Sequence, residues 1–162
     1  MANDLPDNPE LMCACVHESG HAVVFHELTS EWGDLSVAAP DSSGLIPGKH
    51  SHSIEMSPID RLTHLLAGGM AESAWVSQTR AAGDSLVRGT GVDREVIAEL
   101  MCSFFRNEDE STIHEEAKRR ARAILSRRWA EVIKLATQLF QAPPDHSGRR
   151  MLVESQIVKL VS

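Results

Sequence analysis

Apolar residues recur at helical spacing along most of this chain, and only one stretch near the first third departs from that rhythm. PELMCACVHESGHAVVFHEL predicts a helix from about Asn8 to about Leu28, with Pro9 near its start and an acidic first turn. Val16, Ala22, Val23 and Val24 mark that helix as buried. DLSVAAP and HSHSIEM alternate only partly and flank the turn-rich DSSGLIPGK, so they predict two short strands joined by a loop. Ser57, as N-cap, and Pro58 open a second helix in which Leu62, Leu65, Leu66, Met70 and Ala74 share a face. Gly68 and Gly69 cost it about 1 kcal/mol each in propensity, which close packing against a crossing helix would explain. SQTRAAGDSLVRGTG is glycine-rich and aperiodic, a loop. A third helix begins near Val92. After the acidic break RNEDEST, a long helix is expected from about Ile113 to about Gln141. Its stripe is Ala117, Ala121, Ile124, Leu125, Val132, Leu135 and Leu139. APPDHSG ends it, and RRMLVESQIVKLVS supplies a last short helix. The expected fold is predominantly α with a small β element, one domain over residues 1–162 with 1–7 a flexible N-terminus.

Composition narrows the classes. A chain of 162 residues can bury about two thirds of its unfolded surface, enough for one sizeable core. At 42% hydrophobic and 24% charged it has the make-up of a soluble globular protein. A net charge of −7 argues against general nucleic-acid binding, which needs a basic footprint. No apolar run approaches the roughly 18 residues of a membrane span. The acidic opening MANDLPDNPE shows no signal peptide. Three cysteines, with Cys13 and Cys15 only two apart, make no disulfide framework. The expected compartment is a reducing cytoplasm.

The chemistry begins at His17, Glu18 and His21, in the order H-E-x-x-H. A helix brings residues i and i+4 onto one face, so both imidazoles can point at one metal with Glu18 beside them. Catalytic zinc takes three protein ligands and keeps one position for water, whose proton a carboxylate can accept. Gly20 would give a neighbouring element close access. No third histidine follows at the close spacing some zinc proteases use. Glu72, Asp84 and Asp93 are the carboxylates in reach of a plausible fold, and zinc accepts either residue type.

HESGHAVV, LLAGGMAESAWV and GTGVDREVIAEL together resemble the three signature stretches of the FtsH family of zinc proteases. AKRRARAILSRRWAEVIKLATQLF is similar to that family's C-terminal helices, so the likeness runs from about Met12 to the end. The resemblance implies a zinc metalloendopeptidase, with His17, His21 and Asp93 as ligands and Glu18 as general base. Glu72 matches the glutamate of the glycine-containing helix and is expected to support the site. Val92 stands where the family has asparagine, and DSSGLIPGKHSHS does not follow the family's loop. The chain carries no G-x-x-x-x-G-K-[ST] phosphate loop, so the likeness is to the peptidase domain alone. The expected substrate is an unfolded or flexible polypeptide, which a separate ATPase could present. A ring-like homo-oligomer follows if the resemblance extends to assembly. The alternative from another class is a non-catalytic adaptor or regulatory module that keeps a structural zinc site.

Other groups invite weaker readings. Cys13, four residues before His17, could approach the metal but reads more simply as a small buried residue. His50 and His52 would share one face of a strand and could build a minor metal site, against the plainer reading of exposed loop histidines. His26, His64, His114 and His146 find no partner at ligand spacing and receive no role. The basic run KRRARAILSRR could dock an acidic partner but reads as the solvated face of the long helix.

Overall fold

The computed structural model describes residues 7–79 and 91–162. Within them the chain is predominantly helical, with six helices and a small three-stranded antiparallel sheet. Asn8 caps α1 (Pro9–Thr29), its Oδ1 accepting from the Leu11 amide at 3.0 Å. The helix closes at Ser30 in left-handed geometry (φ 65°). α1 is apolar on nearly every side, and the fold uses it accordingly as the central element. Val16, Ala22, Val23, Val24 and Phe25 lose all contact with solvent.

Helix α2 (Pro58–Thr79) crosses α1 closely. A Cβ on Gly20 would stand 2.6 Å from the Ala71 Cβ and 3.0 Å from the Ala67 carbonyl oxygen. Only hydrogen fits there, so Gly20, Ala67 and Ala71 set the spacing of the two helices. Ser57 holds the start of α2 by donating to Asp60 Oδ2 at 2.7 Å and accepting from the Asp60 amide at 3.3 Å. Helix α3 (Gly91–Phe104) packs on α2, burying Leu100 and Met101 against Leu62.

β1 (Asp34–Val37) lies at the centre of the sheet, between β2 (Gly48–Ser51) and β3 (Arg150–Leu152), in the order β2-β1-β3. β2 begins two residues before HSHSIEM and ends inside it. β3 falls where the sequence predicts only helix. Three residues are too few to display an alternation, and pairing decides instead: Leu152 stands opposite Leu35 and is buried with it. The last helix shrinks to α6 (Glu154–Val161), anchored by the fully buried Ile157.

The long helix expected from Ile113 to Gln141 is two helices, α4 (Glu110–Arg127) and α5 (Trp129–Gln141). Arg128 leaves helical geometry at φ −111° and ψ 23°. Unbroken, that segment would run about 43 Å as one straight helix. The bend lays α4 on α2 and α5 on α1. Arg128 secures it, pairing with Glu131 and Glu27 while its guanidinium lies 5.4 Å from the Trp32 ring centre. All seven stripe residues are buried, so the apolar stripe continues through the bend. Apart from Arg128, residues of the basic run pair with acidic neighbours at or near the surface. Lys118 pairs with Glu115, Arg119 and Arg120 with Glu116, and Arg127 with Glu27. No described helix is long and apolar enough to cross a membrane.

Candidate metal centre

Three elements converge beneath the α1–α2 crossing. α1 presents His17 and His21 one turn apart. α2 turns His64, Gly68 and Glu72 towards them, at successive turns of one face. Asp93 enters from the first turn of α3. His17 Nε2 and His21 Nε2 stand 3.1 Å apart, with Asp93 Oδ2 at 3.0 Å from the first and 3.3 Å from the second. Zinc–ligand bonds of 2.0–2.2 Å at tetrahedral angles would place neighbouring donors about 3.3 Å apart. The triangle is close to that size, and these three residues form a group that could hold a metal ion.

The outer hydrogen bonds fix which nitrogen faces inward. His21 Nδ1–H donates to the His64 carbonyl oxygen at 2.8 Å, and His17 Nδ1–H donates to Glu72 Oε2 at 2.9 Å. With both Nδ1 atoms committed as donors, each neutral ring aims its Nε2 lone pair at the other and at a carboxylate oxygen. Three acceptors meeting in a buried space need a cation between them. Without a metal that cation is a proton. Burial works against a charged His17, but its hydrogen bonds to Asp93 and Glu72 outweigh burial and push it up to about 10. A metal binding here therefore displaces a proton.

Glu72 lies behind His17, on the ring edge opposite the triangle, in the carboxylate–histidine arrangement that orients metal-binding imidazoles. It is 2% exposed. Cys13 is buried, and its thiol is pushed well above its usual range by burial first and by Glu72 next. Cys13 is not in the triad. Asp84 lies outside the described residues.

Glu18 is on α1 between the two histidines, 7% exposed, and burial holds its carboxyl above the usual range. It lines a cavity of about 1260 Å³ together with His17, His21 and Asp93. β2 closes over it at Gly48, where any Cβ would overlap the Glu18 carboxylate. Leu65, Leu100 and Phe104 add apolar lining to the cavity.

A second histidine group lies at the β2 end of the same cavity. His50, His52 and His64 offer ligand atoms within 4.8 Å of one another and form a second group that could hold a metal ion. Burial pushes His50 down to about 3 and His64 well below its usual value, so both rings are neutral. His64 is the residue that reading along the sequence leaves without a role, because its partners lie 14 and 43 positions away. A signal for it was present: His64, Gly68 and Glu72 are spaced by four, and Glu72 already belonged to a signature stretch.

Gly68 faces the imidazoles directly. A Cβ there would overlap His21 Nε2 and stand 2.6 Å from His17 Nε2. Gly68→Ala should leave α2 intact, since alanine is the better helix former by about 1 kcal/mol. It should weaken metal binding at least about tenfold by pushing the rings apart, in line with the cost of disturbing the groups that orient ligands. Competition with a chromophoric chelator measures this, and unchanged affinity would mean the rings retain their geometry around the new methyl.

The fold and site define a predominantly helical protein with, among the described residues, two histidine-containing triads that could hold a metal ion. No protein-family model matches the chain, and no curated protein matches it either.

Proposed function

We propose that the chain is a zinc-dependent peptidase of the kind its three signature stretches resemble, acting on unfolded or flexible polypeptides. The observation that carries this reading is the placement of Glu18. A carboxylate stands beside the His17–His21–Asp93 triangle and opens on the same cavity. A structural metal site has no need of such a group, whereas hydrolysis requires a base there.

Zinc held by His17, His21 and Asp93 would acidify water and polarise a peptide carbonyl. Glu18 takes the proton from the attacking water and returns it to the departing amide nitrogen. Glu72 and the His64 carbonyl keep the two imidazoles in the required tautomer. β2 is an edge strand, and an extended peptide paired along it would lie across Gly48, next to Glu18. Leu65, Leu100 and Phe104 offer its side chains an apolar seat. A separate ATPase is the partner that would supply unfolded chain from folded substrates, and a homo-oligomeric ring would suit such a partner.

The test uses the full chain. Cleavage of an unfolded, fluorescently labelled protein should stop on chelation and return with added zinc. Cleavage that survives chelation would overturn the reading, as would zinc-loaded protein without cleavage of that substrate class. The latter result favours the adaptor alternative.

A further inference from the structure

We propose that His50, His52 and His64 form a second metal site, for a divalent ion of the zinc class, which clamps strand β2 to helix α2. The inference goes beyond the peptidase reading and does not rest on it.

The donor set comes from two elements that the chain joins only through a connecting segment. His50 is on β2, and His52 lies just past the strand's last residue, Ser51, with its ring centroid 5.3 Å from that of His50. His64 is on α2, one turn before Gly68. His50 Nδ1 and His64 Nε2 are already 3.1 Å apart, the spacing of two donors on one tetrahedral ion. His52 is exposed, and its ligand nitrogen lies within 4.8 Å of the other two.

Two further features separate this group from a chance meeting of histidines. His50 Nε2–H donates to the Trp32 carbonyl oxygen, which leaves Nδ1 as the lone-pair nitrogen facing His64. Metal-binding imidazoles are commonly oriented by such a bond on the far nitrogen. Beneath the group, Phe25 packs against all three rings, with centroids at 5.0 Å from His50, 4.2 Å from His52 and 5.8 Å from His64. This apolar floor keeps the rings clustered and shields one side of the site from water.

Three imidazoles with no carboxylate suit zinc, copper or nickel and disfavour magnesium and calcium, which need oxygen ligands. The expected consequence is mechanical. An ion bridging β2 and α2 fixes the strand that carries Gly48 over Glu18. It also fixes His64, whose carbonyl orients His21. Edge strands are otherwise the least constrained part of a sheet.

Zinc bound per chain, measured by elemental analysis after dialysis against micromolar zinc and gel filtration, tests the site. The expected result is two ions on the unmodified chain and one on His52→Ala, whose exposed position leaves the core intact. Asp93→Ala should also keep one, and the double variant none. His52→Asp, which puts an oxygen ligand where the imidazole nitrogen was, should recover part of the second ion. A His52→Ala count equal to that of the unmodified chain would overturn the proposal, as would an unmodified chain that binds no zinc. A single ion that survives Asp93→Ala and disappears in His52→Ala would support this site and overturn the first.

Discussion

Glu18→Gln should reduce peptide cleavage by about 10²- to 10⁴-fold while zinc content stays unchanged. The substitution keeps the size and hydrogen-bonding reach of the side chain and removes only its ability to take a proton. Glu18 contributes no atom to the His17–His21–Asp93 triangle, so the metal has no reason to leave. The fold should not suffer either. Burial holds the Glu18 carboxyl above its usual range, so burying its ionised form costs the fold some stability. A neutral amide removes that cost, and the metal-free variant should melt no lower than the parent. The pair of measurements distinguishes the proposals cleanly. Zinc retained with cleavage lost is the peptidase result. Zinc retained with full cleavage would move the base elsewhere in the cavity, and zinc lost would mean that Glu18 holds the site together.

This prediction rests on residues legible in the sequence, because a four-residue helical spacing is a local property. His17 and His21 had to share a face once α1 was helical, and Glu18 had to sit beside them. The face His64–Gly68–Glu72 was readable in the same way, yet its meaning depends on α2 crossing α1 at Gly20, a contact between positions about fifty residues apart. Gly68 consequently serves the imidazoles, while Gly20 and two alanines make the close helix crossing. The same limit explains β3 and the bend at Arg128. Each answers to a partner distant in sequence: Leu35 for the strand, and Glu27 and Trp32 for the bend. His50 and His52 were legible as neighbours, although the strand expected to carry both ends at Ser51, and only the fold could bring His64 to them.

Asp93→Ala should lower zinc affinity at the first site by more than the about 10- to 100-fold typical of losing a supporting residue, and Glu72→Gln should fall within that range. The ranking follows from position. Asp93 Oδ2 lies within 3.3 Å of both Nε2 atoms, where a metal would sit. Glu72 touches His17 only at Nδ1, across the ring, so it can orient the imidazole without touching the same ion. Removing Asp93 takes away a donor and its negative charge together. Replacing Glu72 leaves an acceptor for the His17 Nδ1–H and weakens only the ring's basicity. Chelator competition on both variants, with circular dichroism to confirm that each remains folded, gives the two affinities. The His52→Ala background removes any contribution from the second histidine group. Equal losses would merge the two roles, and a larger loss in Glu72→Gln would transfer the ligand role to that residue. An unchanged affinity in both would point to Asp84, the remaining carboxylate that the chemistry of the donor set admits.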